Sequence, residues 1–138
     1  MDNSLNRFLL AQKVDYDRAL EEIKSGLKVS HWIWYVFPQV KGLGPSYNSE
    51  YYGIASLEEA KLYLKDPILS ERLYTITKEL LKHKDKNIVS IVGRTDAQKI
   101  KSCMTLFDFV SPNDVFKTVL EVFFDGTMCK RTLRFINN

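Results

Sequence analysis

The sequence predicts an all-α protein, a compact multihelical single domain that spans residues 1–138 and has a short buried helix at its centre. Three observations predict this class. Apolar residues recur at spacings of three and four along most of the chain, which is typical of helices with one buried face. Capping residues and glycine stops divide the chain into about seven or eight short helices. No alternation of apolar and polar residues lasts long enough to predict a strand.

The first helix is predicted from an apolar stripe that begins at Leu5 and ends at Ile23. Gly26 follows the stripe and provides a C-terminal cap. One position on the stripe, Gln12, is polar. Asp15 can cap a second helix, which leaves open a break near Val14.

The central segment runs from Ser30 to Gly44 and contains both tryptophans of the chain. Its first part, His31 to Phe37, is predicted to be buried, although seven residues are too few for periodicity alone to distinguish a helix from a strand. The segment is also rich in polar tips, which need partners once they leave water. It is therefore either an unusual core or the wall of a pocket.

Further helices are predicted after a loop over residues 41–53, each from a local start signal. Serine, threonine and aspartate accept hydrogen bonds from the free N–H groups of a first turn, and proline fits the first helical position. In chain order the signals are the capping box Ser56-Leu57-Glu58-Glu59, Asp66-Pro67, Thr95 or Asp96, and Ser111-Pro112, with a last short helix over Met128 to Phe135. Residues 87–92 are a short apolar piece that ends at Gly93.

Composition excludes several classes of function. The net charge of +3 comes from lysines spread along the chain, so no specific nucleic-acid surface is predicted. No apolar run reaches the roughly 18 residues of a membrane span, and no signal peptide precedes Asp2 and Asn3. Cys103 and Cys129, with two scattered histidines, lack a zinc spacing. We therefore expect a soluble cytoplasmic protein with no metal and no cofactor; its oligomeric state is not indicated.

One pair of motifs is distinctive, namely Ser30-His31-Trp32 and Phe37-Pro38-Gln39. Other characteristic residues extend over nearly the whole chain: Arg7-Phe8, Ala11-Gln12, Tyr16, Ala19-Leu20, Gly42-Leu43-Gly44, Glu59-Ala60, Gly93, Asp96, Lys99, Ser102, Met104-Thr105-Leu106-Phe107 and Thr132-Leu133. With these residues the chain resembles the domain-of-unknown-function family 1810, whose members are sometimes misnamed calpastatin. The resemblance implies a multihelical fold around a short buried helix, His31 to Phe37, and no settled activity.

Two positions depart from the family pattern. Ile33 stands where the family usually has methionine, a swap of little consequence for packing. Cys129 stands near where an acidic residue is common, so no catalytic role is expected at that end of the chain.

A second set of fragments is shorter. Phe8 with Ala11-Gln12, and Ile54-Ala55-Ser56 with Glu59-Ala60, are similar to fragments of the YbiA-like proteins. Those proteins process ADP-ribose and related N-glycosides. This resemblance implies chemistry at an N-glycosidic or ADP-ribosyl bond.

The candidate pocket residues lie in and beside the aromatic segment. His31 is either a structural histidine or a general acid or base. Trp34 and its neighbour Trp32 point about 200° apart on a helix, so one can line the core while the other lines a cavity. Gln39 and Gly42 form a turn or bring backbone close to a ligand. The buried amide of Gln12 either bonds a backbone group or binds a ligand.

These residues predict two alternative functions. The first is binding of a nucleotide-like small molecule, or hydrolysis of its N-glycosidic or ADP-ribosyl bond. In the enzyme, His31 or Asp96 would assist water and Arg94 would hold phosphate; the simpler role of Asp96 is to cap a helix. The second function is a non-catalytic protein-interaction module that uses the surface Tyr47 to Tyr52, with Tyr63 as a further anchor.

Overall fold

The computed structural model describes residues 4–137, and within that range the chain forms nine helices and no strand. In chain order they are α1 (Asn6–Ser25), α2 (Ile33–Val36), α3 (Tyr47–Tyr51), α4 (Leu57–Lys65), α5 (Pro67–Leu81), α6 (Ile88–Val92), α7 (Arg94–Val110), α8 (Val115–Phe124) and α9 (Lys130–Ile136). An isolated parallel bridge joins Val40 to Ile54. The all-α prediction is confirmed.

Helix α7 is the centre of the packing. It contacts α2, α4, α6, α8 and α9, while α1 packs against α2 and α5. The four-residue helix α2 therefore lies between α1 and α7, with Ile33, Tyr35 and Val36 buried. The short buried central helix is confirmed. Its bounds, Ile33–Val36, are narrower than the predicted His31 to Phe37, since Phe37 is already the C-cap. His31, which precedes the helix, is exposed.

Helix α1 is continuous, so the break considered near Val14 does not occur. Its buried residues form one uninterrupted stripe: Phe8, Gln12, Tyr16, Ala19 and Ile23. Asp15 does not cap a helix; its carboxylate instead accepts a hydrogen bond from the Tyr35 hydroxyl. The predicted stop at Gly26 is confirmed, since this residue has a φ of 81° and its N–H closes the last turn.

The predicted loop over residues 41–53 contains the short helix α3. Ser46 caps it, with its hydroxyl oxygen accepting from the Ser49 N–H at 3.1 Å. None of the five α3 residues is buried, so the helix has no apolar stripe from which periodicity could predict it.

The predicted caps differ in their outcome. Ser56 and Asp66 accept from the N–H groups of the next helical turn, as predicted. Helix α7, however, begins at Arg94 after Gly93, which has a φ of 86°, so neither Thr95 nor Asp96 is its cap. The last helix begins at Lys130 rather than Met128. These differences are local and leave the helix order unchanged.

No helix among residues 4–137 combines the length and apolar character that crossing a membrane requires. Residues 1–3 and 138 lie outside the described range, and so does the expectation about Asp2 and Asn3. The prediction of a single domain over residues 1–138 includes these ends and stays a prediction.

Candidate functional site

A cavity of ≈ 560 Å³ lies where the chain after α2 passes over α7 and α9. This volume is within the roughly 300–1,000 Å³ typical of small-molecule sites. Its lining comes from three parts of the chain: Trp34, Gln39, Leu43, Gly44, Pro45, Ser46 and Ser49 on one side, Thr95, Gln98, Lys99 and Ser102 of α7 on another, and Cys129 and Arg131 at the start of α9. One wall is thus the end of the distinctive aromatic segment.

An aromatic ring and a cation meet in this wall. The Lys99 ammonium lies 5.4 Å from the centre of the Trp34 ring, within the range of a cation–π contact. Asp96 holds that ammonium at 3.2 Å and also accepts from Lys28 at 2.7 Å. The Lys28 side chain is only 6% exposed, so Asp96 joins a buried lysine to the lysine of the cavity.

A second cation lines the cavity at the start of α9. Arg131 donates from Nη2 to the Gly42 carbonyl oxygen at 3.2 Å, which connects α9 to the loop after α2. Among the described residues that line the cavity, none is acidic. The described lining therefore carries the positive charges of Lys99 and Arg131 and no carboxylate.

A cluster of small polar groups lies behind Cys129. The Cys129 N–H donates to Thr105 Oγ1 at 3.0 Å, and the buried hydroxyls of Ser102 and Thr132 are 2.7 Å apart. Burial raises the pKa of the Cys129 thiol, but hydrogen bonds from Thr132, Ser102 and the Arg131 N–H outweigh burial and bring the pKa below its usual value. The Cys129 thiolate in the wall of the cavity therefore forms more readily than that of an ordinary cysteine.

The position of Cys129 in the cavity lining was not predicted from the sequence, which indicated no catalytic role at this end of the chain. Ser102 and Thr132 are thirty positions apart. No short motif connects the three residues, so their proximity is visible only in the fold.

The outer wall of the cavity is anchored from α1. Arg7 donates to the carbonyl oxygens of Tyr51 at 2.8 Å and Gly53 at 3.0 Å, and it pairs with Glu59 at 3.0 Å. Glu59 also accepts from the Ala55 N–H at 2.8 Å. These contacts hold the C-terminal end of α3 in place.

The predicted site residues fall into two groups. Trp34 and Gln39 line the cavity, as does Gly44, while Gly42 contributes through its bond to Arg131. Gln12 belongs to the core instead. It is 2% exposed, and its amide donates to the Tyr35 carbonyl oxygen at 2.7 Å and to a buried tyrosine hydroxyl at 3.0 Å. The structure places Gln12 in its simpler role, a satisfied buried amide.

The charged candidates lie outside the described cavity lining. His31 is exposed before α2, and its carbonyl oxygen accepts weakly from Tyr35 at 3.3 Å. Arg94 is exposed at the first position of α7. The Asp96 carboxylate is held by its two lysines. Neither His31 nor Asp96 is part of the described cavity lining.

The tyrosines considered as anchors of a protein interface are also divided. Tyr47 and Tyr51 are exposed and stack with their ring centres 5.5 Å apart and an angle of 9° between the planes. Tyr52 is partly buried and packs on Tyr35 at 5.0 Å, and Tyr63 is fully buried. Only the first two present rings to solvent.

Among the residues that the structure describes, no three His, Cys, Asp or Glu side chains lie close enough together to hold a metal ion. The potential chemistry of the cavity rests on its aromatic ring, its two cations, its amides and its thiol.

Residues 2–136 match the model of a family described as a protein of unknown function, DUF1810. The chain belongs to this family. Among solved structures it is similar to the conserved hypothetical protein Rv1873 from Mycobacterium tuberculosis, at 38% sequence identity and a TM-score of 0.94. That match covers 97% of this chain and 96% of the other. No curated protein matches the chain. The likeness to YbiA-like proteins has no support among these matches.

Proposed function

We propose that this protein binds a nucleotide-like small molecule in the cavity, with a planar ring against Trp34. The observation that carries the proposal is the cavity of ≈ 560 Å³, whose wall includes both Trp34 and Gln39. An indole offers a broad surface for stacking, and base–aromatic stacking contributes about 1–3 kcal/mol. The amides of Gln39 and Gln98 can donate to and accept from the polar edge of such a ring.

The arrangement supports binding better than hydrolysis. Cleavage of an N-glycosidic or ADP-ribosyl bond by the predicted route needs a base that reaches water beside the ligand. His31 is exposed away from the cavity lining, and Asp96 is occupied by Lys28 and Lys99. The hydrolase therefore has less support than a binding protein.

A protein-interaction module has one observation in its favour, the exposed stacked pair Tyr47 and Tyr51. A standard interface buries about 800 Å² on each partner, which two tyrosine rings alone do not provide. Small-molecule binding remains the better-supported function.

The test is a thermal-shift screen against nucleotides, NAD, ADP-ribose, nucleosides and simple sugars. A ligand at 100 times its dissociation constant adds about 2.7 kcal/mol to the free energy of unfolding. We expect at least one such ligand to raise the melting temperature of the wild type.

Three variants locate the binding site. The shift should be lost in Trp34→Ala and reduced in Gln39→Ala, because both side chains line the cavity. It should persist in the matched control Tyr47→Ala, whose ring is exposed outside the cavity lining. A flat screen, or a shift that survives Trp34→Ala, would contradict the proposal.

A further inference from the structure

The charge of the residues that line the cavity bears on the charge of its ligand. Lys99 and Arg131 both line it, and the described lining contains no acidic residue. Lys28 and Lys99 share the single carboxylate of Asp96, so one positive charge of that trio is not balanced by it. The partner recorded for Arg131 is the neutral Gly42 carbonyl oxygen. A cleft lined by one sign of charge favours a ligand of the opposite sign.

Lys99 is positioned before any ligand arrives, because its ammonium lies between the Asp96 carboxylate and the Trp34 ring. Arg131 is exposed and donates a hydrogen bond to the Gly42 carbonyl oxygen. A guanidinium has five N–H donors, so one bond to a carbonyl leaves it able to make a bidentate contact with an anion. Groups that are already ordered lose little entropy on binding.

The cation and the aromatic ring are also close to each other. With 5.4 Å between the Lys99 ammonium and the centre of the Trp34 ring, a ligand that contacts both must carry its negative charge near its planar part. Phosphate esters of ring compounds have this layout, whereas a free nucleoside lacks the charge and inorganic phosphate lacks the ring.

We propose that the ligand of this cavity is a nucleoside phosphate, whose phosphate lies between Lys99 and Arg131 while its ring lies against Trp34. This inference rests on the proposed function and names its ligand class. Asp96 is then a positioning residue, which acts through Lys99 and does not touch the ligand. The sequence predicted that Arg94 would hold phosphate. In this proposal Lys99 and Arg131 hold it instead, and neither was predicted to be a phosphate ligand.

The test is a set of tryptophan-fluorescence titrations with ADP, adenosine and inorganic phosphate as separate probes. We expect ADP to bind at least about tenfold more tightly than adenosine, because charge-assisted hydrogen bonds to phosphate add to the ring contact. Inorganic phosphate alone should bind more weakly than ADP. The preference for ADP should fall as salt is added, since salt screens the attraction.

Charge-removing variants assign the effect to residues. Lys99→Met and Arg131→Met should each weaken ADP about tenfold and change adenosine affinity much less, so that the ratio of the two affinities falls. Lys101→Met is the matched control on α7, because the Lys101 ammonium lies over the Phe124 ring and not in the cavity lining. Asp96→Asn removes the negative charge beside Lys99, so charge alone would strengthen ADP binding. A lower ratio of ADP to adenosine affinity in this variant would show that Asp96 acts by positioning Lys99, and a higher ratio would overturn that role.

The outcomes separate the two proposals. If adenosine binds and ADP binds no more tightly, the phosphate inference is overturned and the binding pocket stands. If inorganic phosphate binds as tightly as ADP, the ring contact is wrong and the inference is overturned as well. If none of the probes binds at millimolar concentration, the inference is overturned, and the wider thermal-shift screen then decides the nucleotide-binding proposal.

Discussion

The two tryptophans of this chain are two positions apart and have opposite surroundings. Trp32 is 0% exposed, and its indole N–H donates to Glu22 at 2.9 Å. Trp34 is partly exposed and lines the cavity. Trp32 is the N-cap of α2 and Trp34 is the second residue of that helix, so one short segment serves both the core and the cavity. We call Trp32 and the buried groups of the fold the core side, and Trp34 and the other residues of the cavity lining the cavity side.

Polar groups on the two sides differ in how they are satisfied. On the core side, Gln12 and Tyr35 bond to protein partners within the fold. On the cavity side, the bond recorded for Gln39 is a long one of 3.3 Å to the Phe37 carbonyl oxygen. A buried polar group without a partner costs free energy, so the polar groups of the core bond to other groups of the protein. Groups that keep bonding capacity beside a cavity are the ones available to a ligand.

The largest expected effect is at Trp32. Trp32→Ala removes a fully buried ring and leaves a void, so we expect a loss of about 3–5 kcal/mol in the free energy of unfolding. Trp34→Ala is the matched change on the cavity side and should cost less than half as much. Urea denaturation of both variants measures the difference. Equal losses would show that the two sides are not distinct in packing.

Gln12 and Gln39 provide the next contrast. Gln12→Ala leaves the Tyr35 carbonyl oxygen and a buried tyrosine hydroxyl without their donor, at an expected cost of about 1–3 kcal/mol. Gln39→Ala should change stability by less than about 0.5 kcal/mol while weakening the ligand. Paired measurements of unfolding and binding test this. If Gln12→Ala weakens ligand binding by more than its loss of stability explains, Gln12 belongs to the binding site.

The division between these sides was partly predictable. Helical spacing and caps indicated an all-α fold, and the run from Ser30 to Gly44 indicated a buried aromatic segment with unusual polar content. Opposed roles for Trp32 and Trp34 were predicted from helix geometry, and the structure shows Trp32 in the core and Trp34 at the cavity, although Trp32 is the N-cap and not a helical residue. Local patterns carried this information because each depends on residues close together in the chain.

The remainder of the site depends on residues far apart in sequence. Arg131 reaches the cavity because α9 folds back onto α7, and it meets Gly42 across 89 positions. Asp96 was predicted to be a cap, but Gly93 starts the helix and frees that carboxylate for Lys28. No spacing rule connects such pairs, so they could not be predicted from one sequence.

Glu22 makes the stability of the core side depend on pH. Its carboxylate accepts from the N–H groups of Val29 and Ser30, the Ser30 hydroxyl and the Trp32 indole. Burial raises the pKa of Glu22, but these hydrogen bonds outweigh burial and lower it from 4.5 to about 2. A lowered folded-state pKa means that the stabilisation is complete above about pH 4.5 and is lost as the pH falls towards 2.

Glu22→Gln should therefore remove part of the acid sensitivity of the fold. After allowance for solvent screening, we expect the wild type to lose about 1 kcal/mol more than this variant between about pH 5 and pH 2.5. Urea denaturation at several pH values measures the difference, and Glu21→Gln is the control because that neighbouring side chain is exposed. Parallel curves for the wild type and Glu22→Gln would contradict the assignment.

The smallest effect on stability is expected at Cys129, where the contrast lies in reactivity. Burial raises the pKa of the fully buried Cys103 thiol well above its usual value, whereas the hydrogen bonds around Cys129 lower the pKa of its thiol. Iodoacetamide alkylates thiolates, with a bond forming from sulfur to carbon and iodide leaving. We therefore expect Cys129 to be modified in the folded protein at neutral pH, and Cys103 only after unfolding, as followed by mass spectrometry of tryptic peptides.

Two further variants make this prediction specific to the cavity side. Thr132→Val removes a hydroxyl donor to the thiol, so the midpoint of the alkylation rate against pH should move upward. Cys129→Ser should change the free energy of unfolding by less than about 0.5 kcal/mol. Because Cys129 and Trp34 line the same cavity, a bound ligand should slow alkylation in the wild type and not in Trp34→Ala. Equal alkylation of both cysteines in the folded state would mean that the core side is no less accessible than the cavity side.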